Sequence, residues 1–294
     1  MPTTNVFGVP HYYELIAGQA AMPLVFIHGW LLSHKHWQPL VSQLSPHCPC
    51  LVYDLRGFGQ SQEKLDQFLP GLPLAAQALK SSTSPYGLAA YARDLAAMLR
   101  QLELGPVWLV GHSLGGSIAL WAAYCYPEQV KGVICLNAGG GIYLEREFKQ
   151  FRRVGQQIVR WRSPWWRHLP LLSFALTRAT VAQPLAYRWG HQRLKDLLDA
   201  HPEAALGSLL ESTTETEVHL LPRLVTSLQQ PVYFLAGGQD PVMEPKFVNH
   251  LAGYLPTACT GQDAVIELAN CGHMAMLEQP QVVAKTILDL IKPE

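Results

Sequence analysis

Short, unbroken apolar runs alternate with amphipathic stretches along the first half of the chain. Pro23–His28 (PLVFIH) is a continuous apolar run stopped by Gly29, the pattern of a strand buried on both faces. Ser33–Leu44 follows with helical spacing, and Cys50–Leu55 (CLVYDL) reads as a second buried strand that runs into a loop at Arg56–Ser61. Leu88–Leu102 is strongly helical. Val107–Gly111 (VWLVG) is a third strand, Leu114–Tyr126 a small-residue helix directly after it, and Val130–Asn137 a fourth strand. Strands that alternate with helices predict βαβ units, hence an α/β fold with a mostly parallel, doubly wound sheet covered on both faces.

The alternation stops near Gly141. As far as Pro222 every periodic stretch has helical spacing and none reads as a strand. The rhythm resumes with a strand at Val232–Ala236, a helix over Pro245–Leu255, a strand at Ala264–Leu268 and a last helix at Gln279–Ile291. The expected organisation is a core of residues 1–140 and 223–294 with a helical cap, 141–222, inserted into it. A shorter irregular segment, Gln62–Pro85, is rich in Leu, Ala and Pro; it reads as a variable surface loop, as a border of a pocket mouth, or as a bilayer contact.

Composition narrows the function. A chain of 294 residues, 49% hydrophobic, has enough apolar material for one large core. Lys+Arg and Asp+Glu both number 22, so no overall charge invites nucleic acid. No apolar run is long enough to span a bilayer, and the start, MPTTNVFGVPHYY, lacks a basic region followed by an apolar one. Of the six cysteines, Cys125 and Cys135 lie in apolar runs and Cys48 and Cys50 are too close to staple much. None has the paired spacing of a zinc site. The expectation is a cytoplasmic enzyme with reduced cysteines and neither metal nor organic cofactor.

The candidate chemistry begins at Gly111-His112-Ser113-Leu114-Gly115, a G-x-S-x-G sequence lying between a buried strand and a small-residue helix. That context fits a sharp strand-to-helix turn that presents a serine, with Gly111, Gly115 and Gly116 allowing close backbone approach. A serine there also reads as a plain helix cap. A hydroxyl needs a base to become a nucleophile. His273, after the last predicted strand, is placed for that, and Asp240, in AGGQDP after the strand Val232–Ala236, is placed to orient the imidazole. An oxyanion needs preorganised donors. The backbone N–H of Leu114 is one candidate, and that of Trp30, in the loop His28-Gly29-Trp30, is the other.

Taken together, FIHGW at 26–30, YDLRGFGQS at 53–61, YARDL at 91–95, GHSLGG at 111–116, GGQDP at 237–241 and NCGHMAMLEQP at 270–280 resemble the α/β-hydrolase superfamily. The resemblance covers nearly the whole chain outside 141–222. It implies the α/β-hydrolase fold, a Ser113–His273–Asp240 triad and an acyl-enzyme route. Dehalogenases and epoxide hydrolases of this fold carry Asp at the elbow, where this chain has Ser113. Proline iminopeptidases read GGSWGG, which differs from GHSLGG. The menaquinone-pathway lyase of the fold carries an Arg just after the elbow glycines, where Ser117 stands here.

The predicted cap has an uneven charge. Gly141–Lys195 holds eleven Lys and Arg against Glu145 and Glu147, whereas Asp196–Thr226 has six acids against Arg223. Leu144, Phe148, Phe151, Val154, Ile158 and Trp161 recur at helical spacing, interleaved with basic residues, and WRSPWWR follows at 161–167. This segment reads as a lid packing its apolar face on the core, as a membrane-facing surface, or as a pocket for an anionic substrate. The expected function is hydrolysis of a lipophilic carboxylic ester, a lipid, acylglycerol or prenyl-alcohol ester such as a chlorophyll dephytylase-like substrate. Peripheral membrane contact is an expected possibility and nucleic acid is not an expected partner. The alternatives are a lyase that uses the same triad as a base, and a ligand-binding receptor of this fold.

Overall fold

The computed structural model describes residues 2–19, 22–62, 65, 71–79, 82–140, 145–256 and 264–292. Its strands are β1 (Thr3–Val6), β2 (Val9–Ile16), β3 (Leu24–Ile27), β4 (Cys50–Tyr53), β5 (Val107–His112), β6 (Val130–Leu136), β7 (Val232–Gly237) and β8 (Val265–Leu268). They form one sheet in the order β1-β2-β4-β3-β5-β6-β7-β8. From β4 onward in that order every pair is parallel, while β1 and β2 are antiparallel additions at one edge. Strands lying between two helical layers must be apolar on both faces. Along β3, Val25 and Ile27 enter one core and Leu24 and Phe26 the other.

The helices are α1 (Gln38–Leu44), α2 (Leu74–Ala78), α3 (Leu88–Gln101), α4 (Leu114–Cys125), α5 (Glu145–Trp161), α6 (Pro170–Arg178), α7 (Tyr187–Asp199), α8 (Pro202–Ser212), α9 (Glu215–Val225), α10 (Pro245–Ala252), α11 (Ala275–Glu278) and α12 (Pro280–Leu290). The helix expected over Ser33–Leu44 is divided: His34–Trp37 is a 3-10 turn and α1 starts at Gln38. Pro39 has no N–H for the carbonyl four residues earlier, so the α ladder cannot extend back across it. The edge hairpin β1–β2 was not expected from the sequence. Its two-residue turn, Phe7 (φ 49°) and Gly8 (φ 93°), lies wholly in the left-handed region, as a tight hairpin turn requires.

Helices α5 to α9 all fall between β6 and β7. The apolar stripe expected on α5 is only partly buried. Phe151 and Ile158 are half-buried, but Val154 is 47% and Trp161 70% exposed. Gly155 sets the rotation: a Cβ there would sit 2.6 Å from Leu209 Cδ2 on α8, so the glycine edge of α5 faces inward and the Val154–Trp161 edge faces out. The expected positions Leu144 and Phe148 fall outside the described side chains, as does much of 62–85. Among the described residues no helix is long and apolar enough to cross a membrane.

Helix α7 is held to the core by a buried carboxyl. Asp196 accepts from Ser33 Oγ and from Gln192 Nε2, both at 2.8 Å, and His36 Nδ1 lies 3.4 Å away. Burial pushes the Asp196 carboxyl up to about 7 and the His36 imidazole down to about 3, so near neutrality the two face each other largely without a charge pair. A carboxyl raised in the folded state stabilises the fold most below its unfolded value of about 3.9, and that contribution is lost as pH rises through about 7. Wild type is expected to lose up to about 4 kcal/mol from this group between pH 4 and pH 8. Asp196→Asn should lack that slope, as read from urea midpoints across the range; an equal slope in both proteins would refute the assignment.

Candidate active site

The residues singled out from the sequence, and with them Asn137, lie where parallel strands end. Ser113 follows β5, Asn137 follows β6, Asp240 lies after β7, and His273 lies after β8. Strand carboxyl ends form the crevice of an open α/β sheet, so four loops distant in sequence share one rim.

Ser113 has φ 51° and ψ −118°, a conformation that L-residues seldom adopt. Its N–H donates to Leu136 O at 3.0 Å, and its carbonyl accepts from Gly116 N at 2.9 Å. The turn is tight because its glycines touch backbone. A Cβ on Gly111 would lie 2.3 Å from Gly115 O, and one on Gly115 would lie 2.1 Å from Ile27 O. No side chain fits either place, which is the physical content of the G-x-S-x-G pattern here. Gly116 extends the close packing toward Ala138. The Ser113 side chain makes no hydrogen bond to the N-terminus of α4, which argues against the plain-cap reading.

His273 Nδ1 donates to Asp240 Oδ2 at 2.8 Å. That leaves Nε2 of the neutral ring with the lone pair. Asp240 is only 2% exposed and accepts three further bonds. Val242 N and Met243 N donate to Oδ1 at 2.8 and 2.9 Å, and Asn137 Nδ2 donates to Oδ2 at 3.0 Å. A buried carboxylate so supplied with donors is fixed in direction.

Asn137 was not singled out from the sequence. It is fully buried, has φ 50°, and also donates to Gly272 O at 2.9 Å, so one amide ties Asp240 to the His273 loop. Glu278 is a second such residue. Its carboxylate accepts from Gly272 N, Met274 N, Ala182 N and Gln183 N, joining the His273 loop to the segment between α6 and α7. His273 N donates to Thr180 O at 2.7 Å in the same junction.

His112 and His28 are structural supports. His112 Nε2 donates to His273 O at 2.7 Å, and the two rings are 4.9 Å apart. Burial and the neighbouring His273 push the His112 imidazole well below its ordinary value, which keeps it neutral. Gly29 is required beside it, since a Cβ there would meet His112 Nδ1 at 2.7 Å. His28 Nδ1 donates to Gly29 O at 2.8 Å and its Nε2 accepts from Leu55 N at 3.0 Å. Both nitrogens are thereby used in joining the loops after β3 and β4.

A cavity opens over Ser113. Trp30, Leu114, Phe151, Leu209, Val242 and Met243 supply its apolar wall, and Ser117, Ser212 and Thr213 its polar points. The Trp30 indole donates to Ala205 O on α8 at 2.8 Å, which fixes that wall. Among the described residues the backbone N–H groups of Trp30 and Leu114 have no protein acceptor, and none of the residues lining the cavity is charged. Arg152 lies behind it and donates to Leu210 O and Thr213 O at the end of α8. Among the described residues no cluster of His, Cys, Asp and Glu is suited to hold a metal ion.

Comparison with known proteins agrees with this architecture. The alpha/beta hydrolase fold family model matches residues 22–280. The hydrolase YugF of Bacillus subtilis is 24% identical over 294 residues, covering 98% of this chain and 96% of its own. The 2-succinyl-6-hydroxy-2,4-cyclohexadiene-1-carboxylate synthase of Yersinia pseudotuberculosis is 30% identical over 267 residues, covering 90% of this chain and 85% of its own. Among solved structures, a thermophilic esterase from Thermogutta terrifontis superposes with a TM-score of 0.73 at 21% identity, covering 98% of this chain and 97% of that one. The chain belongs to the alpha/beta hydrolase fold family of enzymes.

Proposed function

We propose that this enzyme hydrolyses a lipophilic carboxylic ester through an acyl-enzyme intermediate. Ser113 Oγ attacks the ester carbonyl while His273 Nε2 takes its proton. Asp240 holds the imidazole in that tautomer and stabilises its charged form. The N–H groups of Leu114 and Trp30 receive the oxyanion, each worth about 3 kcal/mol in the transition state. His273 then returns the proton to the leaving alkoxide, and water attacks the acyl group in a second round. Helices α5 and α8, within the 141–222 cap, cover the acyl chain through Phe151 and Leu209. The observation that carries the reading is an Asp240–His273 pair on the same rim of strand ends as a strained serine, over which the described residues form an apolar cavity wall with no charged side chain.

The similarity to the synthase favours a second reading, a lyase that uses the same triad as a base. Its carboxylated substrate calls for cationic partners. Ser117 stands where that relative's family carries Arg, and Arg152 is engaged with backbone carbonyls. A panel of nitrophenyl esters of rising acyl length, with fluorophosphonate labelling of Ser113, separates the readings. The expected result is labelling together with kcat/KM that rises with acyl length. Turnover of the synthase's substrate with negligible esterase activity would establish the lyase instead, and tight binding without turnover would establish a receptor.

A further inference from the structure

Five large apolar side chains stand in solvent within one short stretch of the inserted helices. Trp161 is 70% exposed, Trp165 64%, Leu171 80%, Phe174 61% and Tyr187 55%. Leu171, Phe174 and Arg178 recur at three and four residues and so share one face of α6. Phe174, Arg178, Leu185 and Tyr187 together line a second cavity, which has no lining residue in common with the one over Ser113. Arg167, Arg178 and Arg188 are exposed around this patch, and the chain carries no acid between Glu147 and Asp196.

Buried structure does not account for these residues. Arg152, Arg162 and Arg193 of the same segment donate inward, to carbonyls of α6, α7 and the end of α8 and to Thr180 Oγ1, whereas Trp165 and Leu171 face solvent. Self-association would bring this patch against its own copy. A two-fold contact would then oppose arginine to arginine with no nearby acid in the segment to pair them. Aromatic rings beside guanidinium groups suit the headgroup layer of a lipid bilayer, and the exposed arginines of a segment without acids suit anionic lipid.

We propose that α6, the turn before it and the start of α7 dock on an anionic phospholipid bilayer, with Leu171, Phe174, Trp165 and Tyr187 entering the interface and Arg167, Arg178 and Arg188 contacting phosphates. The Phe174–Tyr187 cavity is then the place where one lipid's headgroup or upper acyl chain seats. Docking is independent of chemistry at Ser113, so it stands or falls separately from the esterase reading.

Cosedimentation of the full chain with vesicles tests this, using phosphatidylcholine alone and phosphatidylcholine with phosphatidylglycerol. Binding at least tenfold tighter to the anionic vesicles is expected, weakened at 1 M salt as screening shortens. Leu171→Ser/Phe174→Ser should lose at least tenfold. Arg167→Gln and Arg188→Gln should each lose about fivefold. These side chains are exposed, so thermal midpoints should stay near wild type; the arginine variants and the salt series give the answer even if the serine variant folds poorly. Absence of binding, equal binding to both vesicles, or wild-type binding by the arginine variants would overturn the proposal. So would sedimentation velocity showing a dimer that the patch substitutions dissociate.

Discussion

Ser113→Ala is expected to lower ester kcat by about 10⁴-fold or more while leaving the fold's stability within about 1 kcal/mol of wild type. The activity loss follows from removing the only oxygen that can form the acyl bond in the proposed route. What remains is attack by water in a cavity that still holds the oxyanion donors. Stability is spared because the Ser113 hydroxyl makes no cap bond to α4, and Ala keeps the same Cβ in the same turn. Ser113→Gly extends the test. At φ 51° the strain is a property of the Cβ, so glycine relieves it. The glycine variant should be as inactive as the alanine variant, yet at least as stable despite glycine's greater unfolded-state entropy. Measuring kcat beside denaturant midpoints for both variants checks this. Substantial residual turnover by Ser113→Ala would remove the serine from the mechanism. Marked destabilisation by the same change would restore the plain structural reading.

The sequence made the central sheet legible because a strand buried on both faces has no choice but to be apolar throughout. Leu24–Ile27, Cys50–Tyr53 and Val107–His112 are such strands, and their expected bounds moved by one or two residues. The edge hairpin was not legible. Its turn uses Phe7 where Asn, Asp or Gly would announce it, and Pro10 interrupts the strand signal of β2. The elbow was legible because steric exclusion at Gly111 and Gly115 forces a fixed spacing of glycines around the serine. The parts that hold Asp240 and His273 were hidden for the opposite reason. Asn137 acts through an amide that reaches across the sheet to β7 and β8 loops. Glu278 gathers N–H groups from two segments about ninety residues apart in the chain. A lone Asn at a strand end and a lone Glu in a short helix carry no local pattern. The signal they give is a polar group, buried at Asn137 and half-buried at Glu278, with its bonds satisfied inside the protein, which only the fold displays.

Asp240→Asn is expected to cost about as much as losing the nucleophile, about 10⁴-fold in kcat, by a route that changes almost no volume. Four donors converge on the Asp240 carboxylate: two backbone N–H groups on Oδ1, and Asn137 Nδ2 and His273 Nδ1 on Oδ2. An asparagine can accept on only one of these atoms. Val242 N and Met243 N belong to the rigid backbone, so the amide oxygen takes the Oδ1 position. The NH2 group then sits at the Oδ2 position, facing two donors. Asn137 cannot readily turn its amide over, because the same Nδ2 donates to Gly272 O. The imidazole relieves the conflict by moving its proton to Nε2 and offering Nδ1 as an acceptor. That tautomer has no lone pair on Nε2 for the proton of Ser113, so the base is disabled although every side chain keeps its place. The Asn137–residue 240 contact stays donor against donor, and the fold should lose about 1–3 kcal/mol. Pairing Asp240→Asn with Asn137→Ala removes that second donor. The double variant should therefore be less destabilised than the sum of the two single changes, while kcat stays at the Asp240→Asn level. Steady-state rates and urea midpoints on the three proteins settle it. Additive losses of stability would show that Asn137 does not act through Asp240, and near-normal turnover by Asp240→Asn would show that the imidazole is oriented by something else.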